Sequence, residues 1–149
     1  MRAVIQRVDR ASVKINHREL SSINEGILVL LGVEKGDSEI DADYILGKSI
    51  HLRIFEDEQG KMNRSLLDIN GAMMIVSQFT LLGDCIKGRR PSFVQAEEPS
   101  RANKLYEYFI KEAGEKVKSL ATGKFQEMME IELVNNGPVT ILLDSRKNF

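Results

Sequence analysis

The stretch "MMEIELVNNGPVTILLD", residues 128–144, decides how this chain is read. Residues 128–134 and 139–144 both read as strand. Asn136-Gly137 between them is the strongest short signal for a hairpin turn. The expectation is a β-hairpin occupying the end of the chain from about Lys124. Pro138 does not fit a plain hairpin, because it removes a backbone donor where the return strand should begin to pair. X-Pro is also the one bond type at which a cis peptide is cheap. The Gly-Pro step therefore needs a reason beyond reversing the chain.

Working outward, "GILVLLGV" (26–33) and "AMMIV" (72–76) are short, continuous apolar runs, the pattern of fully buried strands. "RAVIQRV" reads as a first strand. "ASVKI" and "ELSSI" flank Asn16-His17-Arg18 as a second hairpin. A helix is predicted after "GDSEI", with Asp37 or Ser38 as its N-cap. "HLRIFED" reads as a strand, followed by the turn "EDEQGK". A longer helix is predicted over about 100–118, capped by Ser100. Its Ala102, Leu105, Tyr106, Phe109, Ala113 and Val117 recur at helical spacing. Residues 82–99 show no period, and loops of that length are commonly functional. Two helices against seven or eight strands predict an α+β fold: one compact domain over 1–149, mainly antiparallel and barrel-like, with both helices packed outside.

Composition bounds the function. The chain of 149 residues is 42% hydrophobic and 29% charged, with net charge −1. A whole-molecule polyanion binder is excluded, so any nucleic-acid contact must come from a local patch. No apolar run approaches a membrane span, and no secretory signal is evident. A cytoplasmic protein with no membrane contact is expected. A single cysteine forms no internal disulfide. Cys85 with the distant His17 and His51 makes no metal-ligand cluster, so no metal is expected.

Three places could carry chemistry. Cys85 is either a nucleophile or a small loop residue, and no base is visible to lower its pKa. "SQFT" (77–80) follows directly on a buried strand. Ser77 or Thr80 there could attack a carbonyl, and Gln78 or a backbone N–H could hold an oxyanion. The same residues could equally cap backbone groups. "KGRRPSF" sets Lys87, Arg89 and Arg90 beside Phe93, which suits phosphates and a stacked base. Standing alone it would read as a solvated charge run.

Taken together, "MRAVIQRV", "ASV", "GILVLLGV", "GKMNRSLLD", "SQFTL", "GRRPSF", "TGKF" and "NNGPVT" resemble the D-aminoacyl-tRNA deacylase family over nearly the whole chain. The resemblance implies hydrolysis of a D-amino acid from the 3′-terminal adenosine of tRNA, without cofactor. It implies a homodimer with the active site at the subunit interface and a cis Gly137-Pro138 bond reaching into the partner's site. Two carbonyls of that step would accept the substrate ammonium, and an L side chain would collide with them. Glycine, with no side chain to clash, would not be rejected, so glycyl-tRNA is an expected substrate. The resemblance puts Ser77, Gln78, Phe79 and Thr80 in the catalytic site. Arg7, Asn136, Val139 and Thr140 support the Gly-Pro step, and Lys87, Arg89, Arg90 and Phe93 contact tRNA. Thr80 has no base in either motif, so the terminal ribose 2′-hydroxyl competes with it as the activating group. Asn136 stands where the family usually has Asp.

Overall fold

The chain builds two apolar cores around one long strand. The computed structural model describes residues 1–148. Strand β1 (Arg2–Ile15) turns through Asn16 and His17 into β2 (Arg18–Ile23). Both turn residues are left-handed, at φ 50° and 61°, as a two-residue hairpin loop requires. Strand β3 (Gly26–Gly32) pairs antiparallel with the first half of β1, from Arg2↔Gly32 to Val8↔Gly26. The second half of β1 pairs with β2 on that same edge. Helix α1 (Glu39–His51) then crosses to a small hairpin, β4 (Phe55–Glu56) and β5 (Met62–Arg64). Strands β6 (Ala72–Ser77) and β7 (Leu120–Thr122) extend the sheet, each parallel to the strand before it in the order β3-β6-β7. Between them lie a 3₁₀ turn (Phe79–Leu82), a long loop and helix α2 (Pro99–Gly114). Ser21 Oγ donates to the carbonyl of Thr122 at 2.8 Å, drawing β2 against β7 and nearly closing a barrel.

Residue alternation assigns the two cores. Ile27, Val29 and Leu31 of β3 and Met73 and Ile75 of β6 point toward the helices, where Ile45, Leu46, Leu105 and Phe109 cover them. Leu28 of β3 and Ala72, Met74 and Val76 of β6 fill the barrel interior with Val8, Ala11 and Val13. Period-two strands buried on both faces read as unbroken apolar runs, which is why 26–33 and 72–76 look as they do. Phe109 is fully buried, and a side chain of that size contributes about 2 kcal/mol by leaving water.

Three sequence expectations change. The last strand, β8 (Glu130–Asp144), is not a hairpin. Both of its halves pair antiparallel with β1, from Lys14↔Glu130 to Arg2↔Asp144. The physical reason is that β1 is long enough to offer one continuous edge to both halves, so the chain never needs to reverse. The sheet stays mainly antiparallel, with β6 and β7 added in parallel because helical crossovers precede them. "HLRIFED" contributes only Phe55 and Glu56 to a strand, since helix α1 runs on to His51. At α2 the cap is Glu98, whose carboxylate accepts from the Ser100 and Arg101 amides at 3.2 and 2.8 Å. Pro99 suits the first helical position and so starts the helix ahead of Ser100.

Tyr106 ties helix α2 to the end of strand β6. Its hydroxyl donates to the Ile75 carbonyl at 2.9 Å and lies 3.5 Å from that of Gly123. Burial pushes its pKa up to about 12, so it stays a donor throughout the physiological range. The Ile75 carbonyl also accepts from the Gly123 amide at 2.9 Å, so Tyr106→Phe removes one of its two donors. A loss of about 1 kcal/mol in denaturant unfolding is expected, the scale of one net hydrogen bond.

Candidate active site

β8 carries the Gly-Pro step as an excursion in the middle of a strand. Gln6 faces Thr140 and Val8 faces Asn135, so two residue steps on β1 span five on β8. The surplus residues loop out opposite Arg7. Gly137-Pro138 is cis and Gly137 has φ 118°. A Cβ at Gly137 would meet Arg7 Nη2 and Val139 Cγ2 at 2.8 Å each, so glycine is required there for conformation and for space. Asn136, Gly137 and Pro138 are exposed.

The excursion is braced from beneath. Arg7 is buried, with 7% exposure. Its Nε and Nη2 donate to the backbone and side-chain oxygens of Asn136 at 3.2 and 3.1 Å. Its Nη1 donates to the Ile54 carbonyl at 2.6 Å. Asn135 closes the neck: Oδ1 accepts from the Val139 amide at 3.1 Å and Nδ2 donates to Thr140 Oγ1 at 3.0 Å. Sequence reasoning selected Arg7, Asn136, Val139 and Thr140 but missed Asn135, because asparagine in "NNG" reads as turn chemistry.

The "SQFT" residues sit at the C-terminal end of β6, where ligands collect on α/β sheets. The Gln78 amide donates to Leu31 O at 2.7 Å, and a 3₁₀ turn follows. Gly32 lets that turn approach β3: a Cβ there would meet Leu82 Cδ2 at 2.6 Å and Gln78 O at 3.0 Å. Arg2 Nη1 braces the turn from β1 through the Leu81 carbonyl at 3.2 Å. Gln78 Nε2 donates to Thr80 Oγ1. The Phe79 and Thr80 amides have no protein acceptor among the described residues, as the first N–H groups of a helical turn do not.

These residues open onto a cleft of about 580 Å³. Ser77, Gln78 and Phe79 form one wall, and Phe125, Met128 and Met129 the other. The volume and largely apolar lining match a small-molecule site with a few polar groups. Phe125 lies 5.8 Å from the Tyr106 ring. Sequence reasoning picked out "TGKF" as a motif without assigning Phe125 a role, and it missed both methionines. Only the fold brings 125–129 opposite 77–79.

The basic loop joins this wall. Asp84 and Ser92 exchange backbone hydrogen bonds at 2.8 and 2.9 Å and pinch off residues 85–91 as an exposed tip. Lys87, Arg89 and Arg90 lie on the tip, as does the exposed Cys85. Phe93 packs edge-on against Phe79, ring centroids 5.1 Å apart, and so docks the basic loop on the cleft.

The two motifs do not meet within one chain. The row Arg7–Ile27–Met73 crosses the sheet. Ser77 lies four residues further along β6, or about 13 Å. The excursion opposite Arg7 is three strand spacings from β6, about 14 Å more to the side. Gly137 and Ser77 are thus roughly 20 Å apart across the sheet.

A model of the family described as D-Tyr-tRNA(Tyr) deacylase matches residues 4–144. D-aminoacyl-tRNA deacylase of Syntrophus aciditrophicus is 62% identical over 149 residues, covering all of both chains. That of Clostridioides difficile is 54% identical over 149 residues, again covering both chains completely. A solved structure described as c-Myc DNA Unwinding Element Binding Protein superposes at TM-score 0.92 with 37% identity, covering 97% of this chain and 98% of its own. A probable eukaryotic D-amino acid tRNA deacylase superposes at TM-score 0.81 over 95% of this chain and 97% of its own, and at 17% identity it shares the fold.

Proposed function

The chain belongs to the D-Tyr-tRNA(Tyr) deacylase family, and on that premise we propose that it hydrolyses the ester joining a D-amino acid to the 3′-terminal adenosine of tRNA. The products are free D-amino acid and free tRNA. The whole chain forms the deacylase domain and acts in the cytoplasm, where aminoacyl-tRNA is used. The observation that carries the reading is the pair of unclaimed amides, Phe79 and Thr80, in the turn whose Phe79 lines a largely apolar cleft. Backbone N–H groups held in a fixed turn stabilise the oxyanion that forms when water adds to the ester carbonyl. Ser77 and Gln78 position that turn. The aromatic and methionine wall suits the terminal adenosine. Collapse of the tetrahedral intermediate breaks the bond to the 3′ oxygen, which leaves with a proton.

Thr80 is not the nucleophile in this reading. Its hydroxyl accepts from Gln78, and among the described residues no histidine or carboxylate hydrogen-bonds it. A threonine without a base is weakly nucleophilic, so the neighbouring ribose 2′-hydroxyl activates the water.

The Gly137-Pro138 tip selects chirality. Its carbonyls accept from the α-ammonium, and an L side chain would run into them. Glycyl-tRNA is accepted because it has no side chain to exclude. Arg7 and Asn136 hold the tip, with Val139 and Thr140 anchoring its neck. Because about 20 Å of sheet separates tip and cleft in one chain, the tip serves the cleft of a second copy, and the enzyme is a homodimer with its sites at the interface. The outer edge of β8 pairs with no strand among the described residues, and an open edge of that length favours a partner. Lys87, Arg89 and Arg90 meet phosphates of the acceptor end, and Phe93 borders the terminal nucleotides.

D-tyrosine release from D-Tyr-tRNA should outpace L-tyrosine release from L-Tyr-tRNA. Thr80→Ala should keep the D rate to within about 100-fold, and removal of the terminal 2′-hydroxyl should cost more, each loss read by its effect on the barrier. A trapped acyl-Thr80 enzyme would overturn the assignment. Neutralising Lys87, Arg89 and Arg90 together should weaken tRNA binding and flatten its salt dependence by roughly one unit of slope per lost phosphate contact. Unchanged binding would make the tip an ordinary solvated loop. A heterodimer with Gly137→Ala in one subunit and a lesion at Gln78-Phe79 in the other should keep about half the activity if the tip acts across the interface, because both lesions fall in the same site. Zero activity would place tip and cleft in the same chain.

A further inference from the structure

The brace of the tip extends past Arg7 to Asp9. Strand β1 breaks its ladder at this residue: Val8 faces Asn135 and Arg10 faces Val134, leaving Asp9 without a partner on β8. The break turns the Asp9 side chain to the level of the excursion. Its Oδ1 accepts a hydrogen bond from Asn136 Nδ2 at 2.6 Å. The other end of that amide, Oδ1, accepts from Arg7 Nη2 at 3.1 Å. A continuous chain therefore runs from the Ile54 carbonyl through Arg7 and Asn136 to Asp9. Asn136 is bonded at both ends of its amide, and Gly137 is the next residue.

The chemistry at position 136 is then specific. A carboxamide accepts at one end and donates at the other, so it can join a guanidinium to a carboxylate. A carboxylate there would satisfy Arg7 but would face Asp9 with like charge. Arg7, Glu25, Glu56 and Arg64 line the same cleft as Asp9 and Asn136. Two of these are acidic and two basic, so the surroundings would not cancel a second negative charge beside Asp9.

We propose that Asp9 is a positioning residue for the Gly137-Pro138 tip, acting through Asn136, and that it sets how sharply D- and L-substrates are separated. The inference rests on the reading that the tip selects chirality. Arg7 restrains the Asn136 side chain from one side only. Asp9 restrains it from the other and removes the remaining freedom to pivot. Selection by steric exclusion depends on that freedom being small, since a tip that yields admits the wrong enantiomer. Asp9 is exposed, so the contact adds little to global stability while still fixing a local geometry.

The test uses the purified full chain with D-Tyr-tRNA and L-Tyr-tRNA, reading the ratio of the two rates and the thermal midpoint. Asp9→Ala should lower the ratio roughly tenfold, the scale of one lost charge-assisted hydrogen bond, with a midpoint shift under about 2 °C. Asp9→Asn should keep most of the ratio, because its amide oxygen still accepts from Asn136. Asn136→Asp should lower the ratio at least as far as Asp9→Ala. Adding Asp9→Asn to Asn136→Asp should restore it to within about threefold, since the new amide can donate to the new carboxylate. A wild-type ratio in Asp9→Ala overturns the inference, as does a double variant no better than Asn136→Asp alone. A fall in ratio that merely tracks a large fall in midpoint also overturns it. Gly137→Ala separates the two levels of the argument. If it leaves the ratio unchanged, the tip reading and this inference fall together. If it changes the ratio while Asp9→Ala does not, only the role of Asp9 falls.

Discussion

Strand β1 is the constraint on which the rest depends. It holds β8 along one edge from Arg2 to Lys14 and shares its other edge between β3 and β2. Its inward side chains change core part way along: Ala3 and Ile5 pack under the helices, while Val8, Ala11 and Val13 fill the barrel. A strand with period-two alternation can change faces only by breaking its register. The break falls at Asp9. The same irregularity that lets one strand serve two cores also puts a carboxylate beside Asn136.

The excursion on β8 follows from this pairing. Both halves of β8 are held to β1 by ladder hydrogen bonds, so the surplus residues between them have nowhere to go but outward. Arg7 supplies the support that an exposed loop lacks. Its guanidinium is buried, and it spends three donors on Asn136 and Ile54. Planar geometry fixes the relative positions of those acceptors. A tip built this way is rigid at its root and open at its end, which suits a device that excludes by collision rather than by affinity.

The cleft has a different origin. It forms where β6 ends and the chain turns at once into a 3₁₀ turn, leaving amides free and an aromatic exposed. Tyr106, Gly123 and Phe125 fix the facing wall through the Ile75 carbonyl and ring contacts. Phe93 then couples the basic loop to Phe79. The basic loop and the 3₁₀ turn share one aromatic contact.

The sequence by itself determined the local features: the buried runs 26–33 and 72–76, the Asn16-His17 turn, helix α1 with Ser38 ahead of it, and the amphipathic face of α2. Each depends on hydrophobic period or on residues within one turn of each other. "SQFT" and the Gly-Pro step were legible as motifs, and Arg7 and Asn136 as their neighbours in role. Tertiary structure alone decided that residues 130–144 form one strand and not a hairpin. Asn-Gly is equally compatible with both, and the choice was made by the edge that β1 offers more than a hundred residues earlier. It alone decided that Phe125, Met128 and Met129 face Ser77 and Gln78, and that Asp9 meets Asn136. Pairing partners lie far apart along the chain, and no local propensity encodes which edge a strand will find.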